Sequence, residues 1–130
     1  MLTLVTLASL SGAPHGDVAA ALTSFTEAVA RGDATTAGKH LHPAYVEVVQ
    51  LPDQELVLTA EAYLGGVDAG RIGGKPIDLT ICAIDVHGRV ATASTVRRTG
   101  DMVLVSAVTL VHRDDAWTIT SASTWTGAAE

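Results

Sequence analysis

The 130-residue sequence has one cysteine, only eight basic side chains, and no apolar run of membrane-spanning length. A lone Cys82 cannot close an internal disulfide, so the fold does not depend on an oxidising compartment. Its neighbours Ile81, Ala83 and Ile84 are apolar, which predicts a buried, inert thiol. Eight basic against fourteen acidic side chains leave a formal charge of -6, the wrong sign for neutralising phosphates. The one adjacent pair of cations, Arg97 and Arg98, would point to opposite faces of a strand. Nucleic acid is thereby excluded as the main partner. No stretch approaches the roughly 18 apolar residues of a membrane helix, so no membrane partner is expected either. Internal repeats and low-complexity segments are also missing.

What is present is enough for one core. With 48% hydrophobic and 17% charged residues, the chain has ample apolar surface to bury and the length of a single domain. Residues 1–16 read as an N-terminal arm and 17–130 as the domain. Met1 to Leu10 is uncharged and rich in Leu, Thr, Val and Ala. It lacks the positively charged start of a secretory signal, so an extra strand or docked arm is expected and a signal remnant is the alternative. The corresponding location is cytoplasmic, with secretion through this apolar N-terminus as the other reading.

Asp17 is a good N-cap, and Val18, Ala21, Leu22, Phe25, Ala28 and Val29 follow at helical spacing until Arg31-Gly32. Asp33 caps a second, shorter helix over Ala34 to Leu41, ended by His42-Pro43. The period then switches to two: Tyr45 to Gln50 and Glu55 to Leu58 form a hairpin around Pro52-Asp53. Thr59 caps a third helix carrying Ala60, Tyr63, Leu64 and Val67 on one side, and Arg71 to Pro76 is a loop. Four long strands follow, Ile77 to His87, Val90 to Thr99, Met102 to Arg113 and Trp117 to Trp125, with turns at Gly88, Gly100-Asp101 and Asp114-Asp115. Strands of this length twist and coil strongly, curling the sheet around the helix that covers it. The fold class is therefore α+β: N-terminal helices packed on a strongly curved, mostly antiparallel sheet, a cone with room for a cavity at its mouth.

Four pieces of this sequence carry a family resemblance. They are Ala30-Arg31-Gly32-Asp33 leading into the second helix, Leu41-His42-Pro43 leading into a strand, Ile84 to Ala91 as a hairpin, and Asp114-Asp115-Ala116-Trp117-Thr118-Ile119 as a closing turn and strand. In order and spacing the chain resembles the NTF2-like superfamily, and within it the SnoaL-like and lumazine-binding-like small domains. The resemblance implies a cystatin-like α+β cone, a pocket at its wide end, and homodimerisation through the exposed sheet face. It implies no single activity, since that superfamily includes enzymes, ligand binders and assembly modules. In relatives resembling ketosteroid isomerases, a tyrosine on the first helix and an acid late in the first strand do the chemistry. Here those positions correspond to Phe25 and Val49, neither of which can do so. Glu47 and Gln50 are close, but a register slip of one residue reverses their faces.

The remaining candidates are few. His40 and His42 straddle a helix end without a second ligand cluster, so no metal is expected. Tyr45 and Tyr63 are the only tyrosines, and a buried phenol needs a hydroxyl partner that a pocket can provide. Asp85 and His87, two apart at a hairpin end, are a possible acid–base pair or simply turn formers. His112 and Arg97 lie in long strands whose facing one bulge inverts. On the concave face Arg97 implies an acidic ligand, and on the convex face a solvated charge. Trp117 and Ile119 are expected inside, with Trp125 closing one end of the sheet. Thr92, Ser94, Ser106, Thr109, Ser121 and Ser123 suit either a polar cavity or a flat dimer contact.

The expectation is a protein that binds a small, largely apolar molecule in the cone cavity without a cofactor. Phe25, Tyr45, Val49, Tyr63, Asp85, Arg97 and His112 are its candidate pocket residues. The alternatives are a cyclase-, dehydratase- or hydrolase-like enzyme using Asp, His or Tyr, and a homodimeric interaction module with a vestigial pocket.

Overall fold

The computed structural model describes residues 2–4 and 13–128. Along them run β1 (Leu2–Leu4), α1 (Ala13–Arg31), α2 (Ala34–Gly38), β2 (Leu41–Gln50), β3 (Glu55–Thr59), α3 (Ala60–Asp68), β4 (Asp78–His87), β5 (Val90–Thr99), β6 (Met102–Arg113) and β7 (Ala116–Ala128). The strands form one sheet in the order β1-β4-β5-β6-β7-β2-β3. β4 to β7 are an antiparallel meander, β2 lies parallel to β7 and antiparallel to β3, and β1 lies parallel to β4. The expected α+β cone is therefore present, with α1 against the concave side of β4 and β7.

The predicted arm divides. Residues 2–4 pair with Leu79 to Ile81 as a strand, and 13–16 already belong to α1. The signal-remnant reading rests chiefly on positions outside the described residues. α1 starts before the expected Asp17 cap because Pro14 sits in the first turn, where the missing N–H has no intrahelical acceptor to lose. Its end follows the prediction. Gly32 takes φ +73°, its N–H reaches the Val29 carbonyl at 3.0 Å, and the Asp33 N–H reaches the Ala28 carbonyl at 2.9 Å. That pair of bonds is the Schellman arrangement, which favours glycine. Asp33 then caps α2 by accepting from the Thr36 N–H at 3.0 Å and the Thr36 hydroxyl at 2.7 Å. These bonds, the side-chain one first, hold its carboxyl below the usual aspartate range.

α2 is shorter than expected and β2 longer. The helix stops at Gly38, and Leu41 is buried in the strand beside Ile119 of β7. The Ile119 N–H donates to the His40 carbonyl at 2.8 Å, so sheet pairing claims backbone that could have continued the helix. Pro43 is tolerated because it falls where the β2–β7 register breaks between Leu41 and Val46, and no ladder hydrogen bond is asked of it. The His42 Nδ1 fills in by accepting from the Ala44 N–H at 2.9 Å.

Two further irregularities curl the sheet, one in β4 between Ile81 and Ala83 and one between β6 and β7 after Thr109. The expectation for Cys82 is overturned. Alternation after the buried Leu79 and Ile81 turns its thiol outward, and the bulge keeps Ala83 on that face as well, so the cysteine is exposed although apolar residues surround it in sequence. The β6–β7 turn uses Asp114 and Asp115 at φ 52° and 62°, the left-handed pair demanded by a two-residue hairpin loop. Ile81, Leu110, Val18 and Val67 are the largest fully buried side chains, marking the core between α1, α3 and the concave face. Trp117 and Ile119 join it, while Trp125 stands exposed on the outer face over Gly127 instead of closing an end.

Candidate functional site

Alternation along β2 puts Tyr45, Glu47 and Val49 on the concave face, all three buried. Facing them across the sheet, Thr95, Ser106 and Thr124 form one row in register on β5, β6 and β7, and Arg97, Leu104 and Thr126 form the next. Glu47, 3% exposed, is the hub. Its Oε1 accepts from the Tyr45 hydroxyl at 3.1 Å and its Oε2 from the Thr124 hydroxyl at 2.6 Å. The Arg97 guanidinium stands 3.7 Å from the same Oε2 and donates to the Ser106 Oγ at 3.1 Å. Ser106 and Thr124 are 2.7 Å apart.

The direction of every proton follows. Thr124 gives its only proton to Glu47, so Ser106 must donate to Thr124. The chain runs from Arg97 through Ser106 and Thr124 to Glu47, with Tyr45 entering from the other side. Both ends are charged and opposite in sign, so the buried network is electrically closed.

Two cavities flank it. The smaller, about 30 Å³ and bounded by Leu22, Phe25 and Thr26 of α1, has room for about one water. The larger, about 240 Å³, lies on the other side of Glu47 and Arg97. Its walls are Val29, Val49, Leu51, Leu56, Leu58 and further aliphatic side chains from β6 and the loop after α3; its polar end comprises Glu47, Tyr63, Arg97 and Thr126. The Thr126 hydroxyl is buried without a hydrogen-bond partner among the described residues.

The structure thus brings Phe25, Tyr45, Val49, Tyr63 and Arg97 around these two spaces. The Phe25 and Tyr63 ring centroids are 5.8 Å apart, and Tyr45 meets Tyr63 edge-on at 6.0 Å. Arg97 faces the concave side, yet its acid is Glu47 of this chain, not one supplied from outside. Asp85 does not join them. It lies on the opposite sheet face, in a depression with Thr92, Ser94, Thr109, Ser121 and Ser123, because odd parity after the β4 bulge turns it outward. His87 is exposed at the end of β4. His112 sits away from the large cavity, its ring 5.2 Å from that of Trp117. His40 lies in the same surface groove, where burial and then Lys39 lower its pKa. Among the described residues no group of three or more His, Cys, Asp or Glu side chains is placed to hold a metal.

Beyond the expected candidates the cavity therefore holds Glu47, paired with Arg97 at its inner end. Glu47 shares the parity of Tyr45 and Val49, a signal already visible in the strand's alternation. Thr126 carried none, since β7 was expected to end at Trp125 and instead runs to Ala128.

Burial first, and then the Glu47 charge, push the Tyr45 phenol far above its ordinary range, and burial does the same to Tyr63 against the opposing pull of Arg97. A phenol whose folded pKa exceeds its unfolded value contributes stability that is intact below about pH 10 and is lost as pH rises. With two tyrosines, unfolding free energy should fall by about 2.7 kcal/mol per pH unit above that point. Phenolate absorbance should accordingly appear in one step coincident with loss of the fold. Ionisation of either tyrosine near pH 10 in the folded protein would contradict the buried geometry.

Residues 13–125 match the model of the family described as "Putative lumazine-binding". The chain belongs to that family. Its fold is that of the NTF2-like superfamily, as solved structures similar to it show. An NTF2-like protein of unknown function from Methylobacillus flagellatus KT superposes with a TM-score of 0.81 at 16% identity, over 92% of this chain and 96% of that one. One from Silicibacter pomeroyi DSS-3 gives 0.77 at 16% identity, over 92% and 99%. A ketosteroid isomerase-like protein from Erwinia carotovora atroseptica SCRI1043 gives 0.71 at 12% identity, over 89% and 98%. No curated protein matches the chain. At these identities the neighbours share an architecture with this chain, and its site has to be read from its own residues. Among the described residues no helix is long and apolar enough to cross a membrane.

Proposed function

We propose that this member of the family binds a small, largely apolar molecule in the larger cavity. The observation that carries this reading is the space itself. About 240 Å³ approaches the 300–1,000 Å³ typical of small-molecule sites, and aliphatic walls with a few convergent polar groups are the usual composition of one. Binding is favoured over catalysis by the way the ionisable groups are committed. Both Glu47 oxygens already accept hydrogen bonds, both phenols are held protonated, and Asp85 and His87 lie outside the cavity.

An apolar naphthylamine dye that fluoresces on leaving water tests this. The wild-type protein is expected to bind it, and Leu104→Trp, which projects bulk into the cavity from β6, should weaken binding by about tenfold or more. Circular dichroism checks that the variant keeps its fold. Equal dye affinity in a folded Leu104→Trp protein would remove the cavity as the site.

A further inference from the structure

We infer that the molecule taken up is aliphatic and carries one uncharged hydrogen-bond acceptor, a carbonyl oxygen, at the end that meets Arg97, Tyr63 and Thr126. This rests on the cavity being a binding site and adds the chemistry of its occupant. Three observations lead to it.

The first is charge. Glu47 and Arg97 neutralise one another at the inner end, 3.7 Å apart. A carboxylate entering there would approach Glu47 and compete with it for a guanidinium already bonded to Ser106. An ammonium would have to share Glu47 with Tyr45 and Thr124 and would stand beside the Arg97 cation. Either charge would be buried with no partner of its own, a costly state. A neutral head group disturbs nothing.

The second is the surplus of donors. Tyr63 stands at the polar end with Arg97, and its phenol, kept protonated by burial, has a proton to give. Thr126, 4% exposed, is part of the cavity lining, and its buried hydroxyl has no hydrogen-bond partner among the described residues. An orphaned buried hydroxyl destabilises the empty protein, and an acceptor on the occupant satisfies it. The groups facing the space thus offer protons and lack a place to put them.

The third is the wall. Apart from Tyr63, the lining outside the polar end is made of Val, Leu, Ile and Met side chains, Gly73 and the Thr99 side chain. Tyr63 already packs its ring between Phe25 and Tyr45. A flat heterocycle with polar atoms on several edges, such as the lumazine of the family's description, would have no ring to stack on. Most of its nitrogens and oxygens would be sealed unpaired against methyl groups. A chain or alicycle with one oxygen matches the distribution of polarity.

Competition against the bound dye tests the inference with 2-octanone, octanoate at pH 8 and lumazine. The ketone is expected to displace the dye with an affinity about tenfold or more above that of either other compound. Thr126→Val keeps the shape and removes the hydroxyl. It should weaken the ketone by about fivefold to tenfold relative to its effect on the dye, and raise or preserve the melting temperature. A structural threonine would behave oppositely, lowering the melting temperature without touching ketone selectivity. Octanoate or lumazine competing as well as the ketone, or a ketone indifferent to Thr126→Val, would overturn the assignment while dye binding upheld the cavity. Failure of the dye itself to bind would remove both.

Discussion

Glu47→Ala should lower the free energy of unfolding by about 3–5 kcal/mol, the loss typical of removing one partner of a buried ion pair. The size comes from what the substitution leaves behind. Arg97 would remain largely buried, its side chain 15% exposed, with its counter-charge gone. The Tyr45 and Thr124 hydroxyls would lose their acceptor in a place water does not reach freely. Urea titration is the measurement, with an unchanged m-value marking a change in stability and not in the extent of unfolding. The double variant Glu47→Leu, Arg97→Met removes both charges and should recover most of the loss, because hydrophobic replacements of a whole buried pair are often neutral. A loss below about 1 kcal/mol for Glu47→Ala would mean that the pair is solvated as a surface bridge is.

Gly73→Ala is the second large effect, expected to cost roughly 2–5 kcal/mol from a left-handed backbone strain of about 1–2 and overpacking of about 1–3. Gly73 has φ +71°, and a Cβ there would overlap the Val29 carbonyl oxygen and side chain. That carbonyl is already the acceptor for the N–H groups of Gly32 and Gly74, each at 3.0 Å. The loop after α3 is therefore pinned to the C-terminal turn of α1, and Ile72, Gly73 and Ile77 close the large cavity on that side. Gly70→Ala is the control. Gly70 has φ +78° but open space where the Cβ would go, so it should show the backbone term alone, about 1–2 kcal/mol. Equal losses for the two variants, by thermal or urea unfolding, would show that contact with α1 contributes nothing.

Both results depend on groups whose importance is not local, and this divides what was readable in advance from what was not. β5 and β6 have the boundaries their alternation and turns imply, because Gly88, Gly100 and the Asp114-Asp115 pair specify tight connections through backbone conformations open to few residues. The C-terminus of α1 and the caps Asp33 and Thr59 were equally legible, since each satisfies free helical N–H or C=O groups within a few residues. The α2–β2 boundary was not. There β7, almost eighty residues distant by sequence number, supplies the partner for the His40 carbonyl and converts the expected last turn of a helix into the start of a strand.

The site divides along the same line. Parity along β2 was enough to put Glu47 beside Tyr45 and Val49, once those two were taken to face inward. Nothing in β4 announces the bulge that sends Asp85 to the outer face, because a bulge is a property of how two strands pair. By itself the sequence determined a helix-covered, curled sheet through periodicity, caps and turns, which are short-range physics, and its resemblance to the NTF2-like superfamily pointed to the same cone. The tertiary structure alone decided that Arg97 meets Glu47, that Ser106 relays between them, and that Thr126 is left with a proton and no acceptor. Those relations join strands distant in the chain, and their register follows from packing across the whole sheet.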